Sequence, residues 1–147
     1  MNLIAPVPPP PLATPDLPVL ERTLELAAER HPDITPLVYA RFFERCPQAR
    51  PLFEVITPDQ PPRGCGQMLF EILSLMVDCA AGRPHVAPYV QQVGHDHRAF
   101  GVGDPALYGE FLEAVVDVLA EQLGDDWTPA IAATWARQSQ ALLLHLH

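Results

Sequence analysis

The sequence predicts an all-α chain of about six or seven helices around one core, and three observations carry that prediction. Apolar residues recur at three- and four-residue spacing in block after block along most of the 147 residues. Thr-Pro and Asp-Pro pairs, which suit helix starts, precede several of these blocks, and Gly82 and Gly124 sit where helices would end. No run alternates apolar with polar residues between turn signals, as a half-buried strand would.

Taken in order, the first segment is the exception. Pro6, Pro8, Pro9, Pro10, Pro11, Pro15 and Pro18 crowd it, removing N–H donors and fixing φ, so residues 1–15 read as a Pro-rich, disordered N-terminal arm. Residues 16–147 read as the folded domain. Leu17, Leu20, Leu24 and Ala28 share one face of a first helix. Thr35-Pro36 predicts a hydroxyl cap with proline at the first helical position, and the helix continues through Tyr39, Phe42, Phe43 and Cys46 until Pro47 re-aims the chain. Pro58, Pro61, Pro62 and Gly64 make 54–64 a loop.

A third helix carries Leu69, Ile72, Leu73, Met76 and Ala80 and ends at Gly82, before Pro84. A fourth, at about 86–100, presents Val86, Tyr89, Val90, Val93, His97 and Phe100. Asp104-Pro105 opens a long helix with Phe111, Leu112, Val115, Leu119 and Leu123, closed by Gly124. Thr128-Pro129 opens the last, with Ile131, Trp135, Leu142 and Leu146 on one side.

Composition narrows the function classes. Apolar residues make up 48% and charged residues 18%, enough hydrophobic surface to order a single domain. Nine Lys and Arg stand against 18 Asp and Glu, and the formal charge of -9 opposes binding to nucleic acid or anionic membranes. Cys46, Cys65 and Cys79 are widely spaced, without the C-x-x-C of a zinc ribbon, and fit a reducing cytoplasm. No basic leader and no apolar stretch of about 20 residues is seen, so the expectation is a soluble cytoplasmic protein.

His97 is the most informative residue. It stands four after Val93 and seven after Val90, on the apolar stripe itself, so its imidazole should point inward. There it needs a hydrogen-bond partner, a metal or a cofactor, and on its own a satisfied core histidine is the ordinary reading. His95 lies off the stripe and reads as solvated.

The surrounding run Val93-Gly94-His95-Asp96-His97-Arg98-Ala99-Phe100-Gly101-Val102 resembles the proximal-histidine segment of single-domain bacterial haemoglobins and of the globin domain of flavohaemoglobins. Upstream, Val38-Tyr39-Ala40-Arg41-Phe42-Phe43 and Pro47-Gln48-Ala49-Arg50-Pro51-Leu52-Phe53 look like the same family's tyrosine-bearing helix and haem-wedging phenylalanine. Downstream, Tyr108 falls in the expected helix, and Leu123-Gly124-Asp125-Asp126-Trp127-Thr128-Pro129 with Trp135 resembles the turn into its last helix. The likeness covers about residues 16–147.

That resemblance implies a globin fold, a three-on-three helical sandwich, holding haem b (iron protoporphyrin IX). His97 would be the iron ligand, Phe53 would pack on the porphyrin edge, and Val93, Phe100, Val102 and Tyr108 would line the pocket. Tyr39 would donate a hydrogen bond to a bound gas, the one catalytic role. Leu69 would lie over the haem and Cys65 one turn before it, where the family has glutamine. Gln67 is the alternative, but choosing it would put charged Glu71 over the haem. No side-chain carboxylate follows Asp126, so the late glutamate of flavohaemoglobins has no counterpart in 127–147.

The implied function is binding of O2, NO and CO. Nitric oxide dioxygenase activity would need an external electron-donating reductase, since 147 residues leave no room for flavin and nicotinamide domains. Neither nucleic acid nor membrane is an expected partner, and the chain would be a monomer or homodimer. The competing expectation is a haem-free sensing or interaction module on the same fold, with His97 structural and the proline-rich arm touching a partner.

Overall fold

A computed structural model describes residues 14–52, 65–99 and 101–146. Six α-helices run through them: α1 (Leu17–Arg30), α2 (Thr35–Arg45), α3 (Cys65–Ala80), α4 (Val86–Ala99), α5 (Ala106–Leu123) and α6 (Pro129–Leu144). Two 3-10 segments, Pro47–Leu52 and Gly124–Asp126, join the set, and no strand occurs among the described residues. The all-α expectation holds, with α1 through α6 close to the predicted boundaries.

Local chemistry explains where helices start and stop. Thr128 caps α6 as predicted, its Oγ1 accepting from the Ile131 N–H at 3.2 Å. The cap predicted for Thr35 belongs instead to Asp33, whose Oδ1 accepts from the Thr35 N–H at 2.9 Å. Thr35 itself is the first residue of α2, after Ile34, and its side chain makes no cap bond: the Val38 N–H that it would have capped donates to the Ile34 carbonyl at 2.9 Å. Gly124, with φ of +53°, ends α5 in a conformation that costs a side-chain-bearing residue about 1 kcal/mol or more.

The core centres on α5, which buries Phe111, Leu112, Val115, Val118, Leu119 and Leu123 against α1, α2 and α6. Trp135 of α6 and Leu20 of α1 complete its deepest layer. Each such side chain contributes about 1.5–3 kcal/mol through removal from water. On the other side, α3 packs against α6 and α1, and α4 packs chiefly against α3.

Polar contacts orient these helices. Arg41 and Arg45 of α2 reach Asp117 on α5 at 3.3 and 3.2 Å, and Arg45 also pairs with Glu110 at 2.8 Å. Asp16, only 9% exposed, accepts from Arg137 Nη2 at 2.8 Å and Gln138 Nε2 at 2.9 Å, joining the start of α1 to α6. Arg30 donates to the carbonyls of Gln122 and Leu123 at 3.0 and 2.6 Å, satisfying acceptors left open at the end of α5.

Candidate functional site

The last turn of α4 brings His97 to the wall of an apolar cleft bounded by α3, α4 and the first turns of α5. Gly101, at φ of +93°, turns the chain there, and the Val102 N–H donates back to the His97 carbonyl at 2.9 Å. That turn carries Val102 into the same wall. Val93 of α4 and Leu107, Tyr108 and Phe111 of α5 continue it. Phe42 of α2 and Leu52 supply another side. The cleft encloses about 110 Å³, below the roughly 300–1,000 Å³ of ligand sites, so its walls would have to part to admit a large planar group.

His97 is held by its own helix. Its Nδ1 lies 2.7 Å from the Val93 carbonyl oxygen, which can only accept, so Nδ1 carries a proton and Nε2 is the nitrogen left to face a ligand. The Tyr108 ring meets the imidazole edge to face at 5.7 Å. The Tyr108 hydroxyl is buried and has no hydrogen-bond partner among the described residues, and burial raises its phenol above the usual tyrosine range.

Tyr39 is buried on α2, and its ring packs on Phe111 with centroids 5.4 Å apart. Its hydroxyl donates to Met68 Sδ at 3.9 Å, and Met68 lines the cleft. Tyr39 therefore stands immediately behind Met68 and Phe111, with its one polar atom directed at the cleft's α3 wall.

The structure thus brings together His97, Val93, Val102 and Tyr108, with Tyr39 behind them. The α3 wall differs from the sequence expectation. Leu69 is buried on the side of α3 that faces α1 and lines a separate cavity there. Met68, Glu71, Ile72 and Leu75 face the cleft in its place. Glu71 thus occupies the wall that the sequence reading kept free of charge, and Gln67 Nε2 donates to its Oε1 at 3.4 Å.

The reason is that α3 is apolar on two adjoining faces. Met68, Ile72 and Leu75 have the same i, i+4, i+7 spacing as Leu69, Leu73 and Met76, one residue out of register. That second stripe was the signal available in the sequence. Phe42, Leu52, Leu107 and Phe111 were also missed as cleft residues, since their spacing marks them only as apolar. Phe53, Phe100 and the Cys65 side chain lie outside the described residues, although Cys65 is the first residue of α3.

Whether these residues suit a haem can be judged from the donor set. A mostly apolar cleft, with Glu71 its one acidic side chain, holds one histidine whose Nδ1 is committed to a backbone carbonyl, which leaves Nε2 as the nitrogen of the kind that binds haem iron. Among the described residues no group of three or more His, Cys, Asp or Glu forms a separate metal site. The residues fit the group: His97 would ligate iron, and Val93, Val102, Leu107, Ile72 and Phe42 would contact the porphyrin faces. No helix of the described residues is long and apolar enough to cross a membrane.

No curated protein compared with this chain matches it. A family model of globins matches residues 37–143, well over half of the chain and the whole span from α2 to the last turn of α6. With the all-helical fold and a histidine in an apolar cleft, this match shows that the chain belongs to the globin family, whose members bind small gases at haem.

Proposed function

We propose that this globin holds haem b through Nε2 of His97 and binds dioxygen, nitric oxide and carbon monoxide. The observation that carries the reading is the His97 Nδ1 to Val93 carbonyl contact at the wall of the apolar cleft. It fixes the tautomer that ligation requires and orients the ring before any ligand arrives. Bound haem supplies an iron at which a diatomic gas coordinates.

The protein's own groups then set how the gas is held. Tyr39 would supply a hydrogen bond to it once the Met68 side chain in front of its hydroxyl moved aside, a polarised gas atom being a better acceptor than a thioether. Walls from α3, α4 and α5 that are largely apolar lower the dielectric around that bond, which strengthens it. With nitric oxide as second substrate the overall reaction is NO + O2 + one electron to nitrate, the electron coming from a separate reductase.

Absorption spectra of the haemin-reconstituted protein test this reading. A Soret band that shifts with carbon monoxide in the Fe(II) form, and is lost in His97→Ala, is the expected result. Failure to retain haem would overturn it in favour of a haem-free module on the same fold. Rapid mixing of the reduced, air-equilibrated protein with nitric oxide is expected to yield stoichiometric nitrate. Absence of nitrate would remove the dioxygenase step and leave gas binding.

A further inference from the structure

Among the described residues, the side chains along the cleft with an atom able to bond to a metal are His97, Tyr108, Glu71 and Met68. Tyr108 meets the His97 ring edge to face at 5.7 Å, so it stands on the histidine's own side. Glu71 also lines an outer hollow with His85 and Tyr89, and Gln67 Nε2 donates to it, which puts its carboxylate at the edge of the cleft. Met68 is the donor that α3 brings to the inner wall.

Helix α5 spans the interval between the histidine and the thioether. Tyr108 touches His97, and Phe111, three residues later and about 4.5 Å along the axis, packs on the Tyr39 ring with centroids 5.4 Å apart. The Tyr39 hydroxyl in turn donates to Met68 Sδ at 3.9 Å. His97 on α4 and Met68 on α3 therefore stand at the two ends of a short line of rings, both facing the same cleft.

Side-chain chemistry adds to this placement. Ile72 and Leu75 continue the α3 wall with branched hydrocarbon, whereas Met68 offers a soft, polarisable sulfur. Its unbranched chain has three rotatable bonds, so the sulfur can follow a wall that parts to admit a porphyrin. As a hydrogen-bond acceptor for Tyr39 a thioether is weak, and little is lost when it turns to a metal.

We propose that, with no gas bound, Met68 Sδ is the second axial ligand of the haem iron, opposite His97. The assignment rests on haem binding at His97. A His/Met pair favours Fe(II) and raises the iron's potential above that of histidine alone. A gas then binds by exchange: the iron–sulfur bond breaks, the iron–gas bond forms, and no electron is transferred. The same departure carries the thioether away from the Tyr39 hydroxyl, so the movement of one side chain opens the iron and turns a hydrogen-bond donor toward the gas.

The test uses the full chain reconstituted with haemin, beside Met68→Leu, which keeps the apolar volume of the wall. Under argon the parent is expected to be six-coordinate and low-spin in both oxidation states by resonance Raman, with a sulfur-to-iron charge-transfer band in the near infrared as Fe(III). Met68→Leu should lose that band and become five-coordinate as Fe(II), while its Soret band still shifts with carbon monoxide. Its carbon monoxide association should be several-fold faster than the parent's, which should level off at high gas concentration at the rate of thioether release. A parent that is five-coordinate as Fe(II) yet shifts with carbon monoxide would overturn ligation by Met68 and leave haem binding intact. A low-spin spectrum that survives in Met68→Leu would do the same. Failure of both proteins to retain haem would overturn the proposal by removing the haem binding on which it rests.

Discussion

The Nδ1 atom of His97 and the carbonyl oxygen of Val93, one turn apart on α4, are 2.7 Å apart. This contact uses the carbonyl one turn back on the same helix, so imidazole orientation depends on the helix itself rather than on a second side chain. His97→Gly should lower haem affinity by more than about tenfold. Imidazole added in solution should restore the carbon monoxide-sensitive Soret band, because the cleft is left intact around the missing ring. Restoration is read by titrating imidazole into the reconstituted variant.

The two apolar faces of α3 predict a clean separation between stability and gas binding. Leu69, buried toward α1, should cost about 2–4 kcal/mol of folding stability when changed to alanine and leave the haem spectrum unaltered. Ile72→Ala, in the cleft wall, should cost less stability and change carbon monoxide binding kinetics. Urea denaturation and flash photolysis on the pair make the comparison. The reverse pattern would put Leu69 on the haem side.

Tyr108 holds a buried hydroxyl with no partner among the described residues, which is a cost in the haem-free fold. Tyr108→Phe should therefore stabilise the haem-free protein by about 1 kcal/mol. The folded-state pKa is raised by burial, so the neutral phenol's contribution is present below the ordinary value near 10 and is lost as pH rises through the higher folded value. Thermal melts between neutral and alkaline pH should fall more steeply for the parent than for Tyr108→Phe.

Asp16 ties the start of α1 to α6, and the Arg137 hydrogen bond, followed by that of Gln138, holds its carboxyl below the usual aspartate range. A depressed folded-state pKa contributes stability above the unfolded value near 3.9 and loses it as pH falls through the folded value. Asp16→Asn should lower the melting temperature by a few degrees at neutral pH and converge with the parent in strong acid. Calorimetry across that range checks the sign.

Much of this architecture was legible without coordinates. Thr128-Pro129 predicted the start of α6, and Gly124 the end of α5, because caps and left-handed glycines act within a few residues of themselves. His97 could be placed on an inward face from Val90 and Val93 alone, since a helix repeats every 3.6 residues. At α2 the predicted cap residue, Thr35, is instead the first helical residue after Ile34, and the side-chain acceptor for its N–H comes from Asp33, because both carry suitable oxygens and only backbone geometry chooses between them.

The sequence by itself determined an all-helical fold, the helix boundaries and the inward histidine, all of them consequences of short-range periodicity and backbone chemistry. Tertiary structure alone decided which of the two apolar stripes of α3 meets the cleft, and hence that Met68, Glu71 and Ile72 face it while Leu69 turns to α1. It also decided that the Val93 carbonyl accepts from His97 and that the Tyr108 hydroxyl is buried with no partner among the described residues. Periodicity measures how apolar a face is; only the packing of α3 against α1 and α6 determines where that face is spent.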